Sequence, residues 1–269
     1  MNYREKFSLS GKTCYVLGGS GLIGTEICKS FLDFDAQVVC LDKGPPINPL
    51  GESMIKIKSF FYEDYDCSDL ENLEQNFQKI VSLHDCPDVF VNVSYPRTKE
   101  WGHSSFKDLE LNSLKENIEI NLVSTIWISR LVAELMKEKK VEGNIINFGS
   151  IYGIVGQNLN VYEGTSMQEN SIYSSIKGAL VNQTRQMASI YGKHNIRINC
   201  ISPGGVEGPY AENNGNQEDK FVNNYSLHSP LNRLAKAEEI APAAVFLASQ
   251  ASSYVTGMNL IIDGGWTII

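Results

Sequence analysis

The sequence predicts an α/β fold: a doubly wound parallel sheet with helices on both faces, built as a single domain over residues 1–269. Three observations predict it. Short apolar runs rich in β-branched residues alternate with longer stretches of helical periodicity, the pattern of right-handed crossovers between parallel strands. A glycine-rich segment joins the first such run to the first helical stretch. No repeat, low-complexity tract or interdomain linker divides the chain.

Taken in order, Thr13–Leu17 reads as the first strand. Ile23, Ile27 and Phe31 then recur at steps of four and give one buried helical face. Gln37–Leu41 is the second strand and Ile55–Phe61 the third. A helix over Asp69–Leu83, a strand over Val89–Val93 and one long helix over Leu114–Lys140 follow. Asn144–Phe148 is a strand, Tyr173–Tyr191 a helix and Ile196–Ile201 a strand. A helix near Glu238–Ala248 and a strand at Leu260–Ile262 complete the set. Ile151–Asn170 and Gly204–Asn224 fit no regular element. Long loops in compact domains are often lids or binding loops. Both follow strand ends, where a doubly wound sheet binds its ligands, so both are expected to border one site.

Composition narrows the function classes. A net charge of −8, from 31 acidic and 23 basic residues, disfavours a broad surface for nucleic acid or anionic membrane. The opening MNYREKFSLS lacks the apolar core of a secretory signal. No apolar run approaches the roughly 20 residues of a membrane-spanning helix. A soluble cytoplasmic protein with a small-molecule partner is expected. The six cysteines, with no CxxC pair, read as small buried hydrophobes in a reducing compartment. The four histidines lack metal-ligand spacing and read as surface or loop residues, so no metal is expected.

The segment Gly18-Gly-Ser20-Gly21-Leu22-Ile23-Gly24 carries the first chemical signal. Its glycines permit a tight turn and let the backbone approach a pyrophosphate, which the following helix N-terminus stabilises. The spacing alone also suits an ordinary turn; the strand–turn–helix setting is what favours a dinucleotide. Asp42 ends the second strand 18 residues beyond Gly24. A carboxylate there accepts hydrogen bonds from ribose hydroxyls and repels a 2′-phosphate, which favours NAD over NADP. The adjacent Lys43 pulls the other way, and an exposed strand-end aspartate is the bland alternative.

Tyr173-Ser-Ser-Ile-Lys177 places a phenol and an ammonium four residues apart on one helix face. A free tyrosine, with a pKa of about 10, is a poor base near neutrality. A neighbouring cation favours the phenolate, which can then exchange a proton with an alcohol or carbonyl oxygen. The same spacing often marks a solvated helix face, but here it follows Ser150, whose hydroxyl stands at a strand end.

With these pieces in place, the chain resembles a short-chain dehydrogenase/reductase from end to end, a Rossmann-type fold. The matching parts are the glycine loop, Asp66, Asn92, Asn121 in Ile-Asn-Leu-Val-Ser, Ser150 in Asn-Phe-Gly-Ser, the Tyr–Lys pair, Arg197–Gly204 and Tyr254–Gly265. The resemblance implies a catalytic tetrad of Asn121, Ser150, Tyr173 and Lys177, with Lys177 also holding the nicotinamide ribose. It implies cofactor contacts from Gly18, Ser20, Gly21, Leu22, Ile23, Asp42, Lys43, Asp66, Cys67, Asn92, Val93, Ser94, Pro203, Gly204 and Val206. It also implies assembly of identical chains into a dimer or tetramer.

The sequence departs from that pattern in ways that bear on the substrate. Leu17 replaces a threonine, Leu22 replaces a glycine, and Asn92-Val-Ser-Tyr95 stands for Asn-Asn-Ala-Gly. Gly208 stands where a threonine commonly helps bind the carboxamide, and 23 positions separate Ser150 from Tyr173. Arg97, Lys99 and His103, just beyond Tyr95, offer a cationic patch for a phosphate or carboxylate, or else a solvated loop. Tyr152 and Tyr162, with Glu163, Thr165 and Ser166, suit a hydroxylated ligand. Hydride transfer between NAD and a secondary alcohol or ketone on a sugar or sugar phosphate is the expected reaction. The combination resembles oxidoreductases of bacterial surface-sugar and flagellin-modification pathways. A nucleotide-sugar epimerase or dehydratase with retained NAD, and a non-catalytic dinucleotide sensor, are the competing readings.

Overall fold

The computed structural model describes residues 2–45, 53–99, 101, 104–210 and 215–269. Its seven-stranded sheet runs in the order β3-β2-β1-β4-β5-β6-β9, every neighbouring pair parallel. The strands are β1 (Thr13–Leu17), β2 (Gln37–Asp42), β3 (Phe60–Asp64), β4 (Val89–Asn92), β5 (Asn144–Phe148), β6 (Arg197–Pro203) and β9 (Asn259–Ile262). Pro209–Tyr210 (β7) and Gly215–Asn216 (β8) form a separate antiparallel pair. The central strands β4 and β5 are buried throughout, as continuous apolar runs covered on both faces must be.

The helices are α1 (Leu22–Asp33), α2 (Leu73–His84), α3 (Leu111–Asn117), α4 (Ser124–Lys139), α5 (Ser171–Tyr191), α6 (Asp219–Ser226) and α7 (Ala241–Ala248). Two cores result. One joins Ile27 and Phe31 of α1 to Ala244 and Val245 of α7. The other joins Phe77 of α2, Ile128 and Val132 of α4 and Met187 of α5. Their shared wall is the sheet, whose carboxyl ends are left free to build a site.

Four expectations need correction. The third strand is Phe60–Asp64, not Ile55–Phe61; it pairs with β2 through Phe60↔Val38 to Asp64↔Asp42. The long helix is interrupted: a π-type segment, Ile118–Val123, separates α3 from α4. The segment Gly204–Asn224 is not wholly irregular, since it contains the start of α6, whose Phe221 and Tyr225 are buried. His84 is no surface residue: its imidazole sits 2.7 Å from Glu63 and packs on Phe61. The cysteines match expectation, five of the six being buried and all free. Among the described residues no His/Cys/Asp/Glu cluster suits a metal, and no helix is long and apolar enough to cross a membrane.

Candidate active site

The first helix turn and the strand ends frame a groove of about 910 Å³. Gly18 adopts φ +82, and a Cβ there would press within 2.7 Å of the Ser94 backbone; only glycine lets β1 and β4 end this close together. Asp42 is locked at the rim: its carboxylate accepts from the backbone N–H of Ser20 at 2.9 Å and of Lys43 at 2.8 Å. Burial raises its pKa, and those two N–H groups oppose the rise. Lys43 pairs with Asp66 at 2.7 Å. Burial works to raise the Asp66 pKa, but the hydrogen bonds from Lys43 and Ser68 outweigh it and hold the carboxyl below its ordinary value.

Of the residues expected at the cofactor, Gly18, Gly21, Leu22, Ile23, Asp42, Lys43, Asp66, Cys67, Val93 and Ser94 line this groove. Ser20, Asn92, Pro203 and Val206 do not line it. Ser20 donates its hydroxyl to the Gly44 carbonyl at 3.0 Å, and Asn92 is buried beneath Ser94, accepting from its N–H and hydroxyl at 3.1 and 2.7 Å. Pro203 is buried at the end of β6, and Val206 packs on the core. Gly204 lines a second space instead.

That second space is a cavity of about 810 Å³ over the ends of β5 and β6. Ser150, Tyr173, Tyr152 and Tyr162 all line it. Tyr173 lies in the first turn of α5. Asn170 caps α5 by accepting from the Tyr173 N–H at 2.9 Å, a standard use of an asparagine side chain. Gln157 fixes that cap: its amide donates to the Asn170 carbonyl at 2.7 Å and to the Ser174 hydroxyl at 2.8 Å. Its own carbonyl accepts from the Asn170 N–H at 3.2 Å and the Tyr162 hydroxyl at 3.0 Å. One turn along α5, the buried Lys177 donates to the Phe148 carbonyl at 2.8 Å.

The electrostatics differ from expectation in one respect. Burial raises the Tyr173 pKa, and the hydrogen bond from Ser150 only partly opposes it. The expected lowering by a neighbouring cation is not realised in the chain alone, because Lys177 Nζ stands 5.5 Å from the Tyr173 ring centroid and desolvation wins. Burial likewise pulls Lys177 down to about 8. Asn121 lies in the π-type segment, donates to the Pro96 carbonyl at 3.1 Å and leaves its buried Oδ1 without a partner.

Tyr95 and Arg97 line both spaces and so stand at their junction. The Tyr95 ring meets the Tyr173 ring edge-on at 5.1 Å and lies 4.9 Å beneath Lys177 Nζ. The expected cationic patch does not assemble in the substrate cavity. Lys99 lines only the groove, and His103 lies outside the described residues. Arg97 is the one cation of the described cavity lining, which also holds Asp108 and Glu169. Asp108, Trp101, Gln217, Phe221 and Tyr225 also line the cavity and were not among the expected residues. They come from loops and a short helix with no motif of their own.

A parallel sheet with a glycine loop at β1 and a ligand space across its carboxyl edge defines a dinucleotide-binding α/β class. The family model described as enoyl-(acyl carrier protein) reductase matches residues 20–267, and the chain belongs to that family of short-chain dehydrogenases/reductases. The chain is 29% identical over 265 residues to post-translational flagellin modification protein A of Campylobacter coli, covering 96% of this chain and 99% of the relative. It is 31% identical over 260 residues to L-fucose dehydrogenase of Mus musculus, covering 95% and 88%. A crystal structure of a short-chain dehydrogenase from Leptospira borgpetersenii with bound NAD+ superposes with TM-score 0.84 at 31% identity, covering 99% and 96%.

Proposed function

We propose that the protein transfers a hydride between NAD(H) and a secondary alcohol or ketone of a neutral, polyhydroxylated substrate of sugar size. The observation that carries the chemistry is that Tyr173 and Ser150 line one cavity, with the buried Lys177 one helical turn from the phenol. Bound NAD supplies the hydride acceptor or donor. Tyr173 moves the proton to or from the substrate oxygen and Ser150 orients that oxygen, while the buried Lys177, anchored on the Phe148 carbonyl, holds a cation one turn from the phenol. Asn121, whose buried Oδ1 has no partner, is the fourth member proposed for the tetrad.

The groove fits the dinucleotide. Asp42 presents a carboxylate where a 2′-phosphate would be repelled, and Lys43, the cation that would offset it, is paired with Asp66. The NAD+-bound relative of known structure supports the same choice.

The cavity favours a neutral substrate over the phosphorylated one the sequence also allowed. Its described lining holds one cation, Arg97, and two carboxylates, Asp108 and Glu169, while Tyr95, Trp101, Tyr152 and Tyr162 offer aromatic faces and hydroxyls. A relative named for the sugar L-fucose agrees with that lining. A cytoplasmic location and assembly into dimers or tetramers belong to the same reading. NADH formation should be measured over paired neutral and phosphorylated sugars. Neutral members are expected to give the higher kcat/KM by about tenfold or more, since one buried charge mismatch costs on the order of 1–3 kcal/mol. Preference for the phosphorylated members would overturn the substrate assignment.

A further inference from the structure

Two of the departures noted in the sequence meet in space. Leu22 opens α1 beside the glycine loop; its side chain lines the dinucleotide groove and stays 44% exposed. Gly208 belongs to the loop that leaves β6. It is not among the glycines with positive φ, so its backbone would accept any residue. What bars a side chain there is Leu22. A Cβ on Gly208 would overlap the Leu22 Cδ2 methyl, with Cγ and Cδ1 only 3.4 and 3.5 Å away. Gln217 holds the glycine in that position: its Oε1 accepts from the Gly208 N–H at 3.1 Å, and its Nε2 donates to the Val206 carbonyl at 2.8 Å.

We propose that Leu22 and Gly208 are a matched pair that bridges the glycine loop and the β6 loop at the dinucleotide groove, and that their fit sets how tightly the cofactor is held. The proposal rests on the assignment of that groove to NAD. Its physical basis is simple. A half-exposed leucine at the rim gains by being covered, at about 25 cal/mol per Å² of apolar surface. The β6 loop supplies part of that cover only while position 208 has no side chain. Any group added there must displace the leucine methyls, which line the groove, or push the Gln217-clamped loop outward. Either movement changes the space the dinucleotide occupies. The pair also accounts for the leucine in the glycine loop by packing, without recourse to an epimerase.

The test is a double-mutant cycle read as NADH affinity in a fluorescence titration. The proteins are the full-length chain, Gly208→Ala, Leu22→Ala and the double variant. Alanine at 208 adds only the atom for which there is no room. It is expected to weaken NADH binding at least about fivefold in the native background and less than about twofold when Leu22 is already alanine. An equal penalty in both backgrounds, or no penalty in either, would overturn the pairing. If Gly208→Ala melts too low for titration, thermal midpoints of the cofactor-free proteins replace affinities, and Leu22→Ala must then rescue the midpoint. Failure of the unaltered chain to bind NADH would instead remove the cofactor assignment and, with it, the pair's role.

Discussion

Lys177 reaches back from α5 to the Phe148 carbonyl at the end of β5, a polar tie between this helix and the sheet edge. Burial brings its pKa from 10.5 to about 8. In the window between those values the unfolded chain holds the proton more tightly than the native one. Stability from this group is therefore smallest below about 8 and rises as pH climbs toward 10.5. The thermal midpoint of the native protein, measured relative to Lys177→Met, is expected to climb across that window. Midpoint curves that stay parallel would show that the ammonium is not desolvated as the geometry implies. The Tyr–Lys spacing, Ser150 and Asp42 were all legible in the sequence, because each sits at a strand end or a fixed helical interval. Asp108, Glu169 and Trp101 were not, since nothing in a linear pattern brings loop residues to one wall.

At the scale of elements, the long stretch between Ser150 and Tyr173 does two things. It lines the cavity with Tyr152 and Tyr162, and through Gln157 and Asn170 it sets the start of α5. Gly153 packs against that helix so closely that a Cβ would lie 2.7 Å from the Lys177 carbonyl carbon. The segment also docks on α6, where the Asn224 amide donates to the Val161 and Glu163 carbonyls at 3.3 and 3.0 Å. Removing the four hydrogen bonds of Gln157 should loosen the helix start without touching the groove. Gln157→Ala is expected to lower kcat by about tenfold to a hundredfold, the scale of a small misplacement of a reacting group. NADH affinity, measured in parallel, should be unchanged; a fall in affinity of the same size would show general loosening instead. Element order and type followed from periodicity. The π-type segment at Asn121 did not, because a single wide turn leaves the apolar pattern almost unaltered. Helix α6 escaped because it is short and lies in a polar stretch.

On the scale of the whole molecule, the parallel sheet delivers two spaces along one edge, and Tyr95 and Arg97 are common to both. The doubly wound order was legible from the alternation of runs, and so was the general position of the site. The balance of charge in the cavity was not. Arg97 and Lys99 are near neighbours in sequence, yet only Arg97 reaches the cavity, whose described lining also holds two carboxylates. The proposed proton-transferring group, Tyr173, lines the cavity and meets Tyr95, the ring common to both spaces, at 5.1 Å. The most direct measurement is NADH formation from NAD+ and a turned-over sugar by the native protein and by Tyr173→Phe, with NADH affinity measured on both. The variant is expected to keep its affinity and lose about 10²–10⁴-fold in turnover. Near-native turnover by Tyr173→Phe would contradict the account.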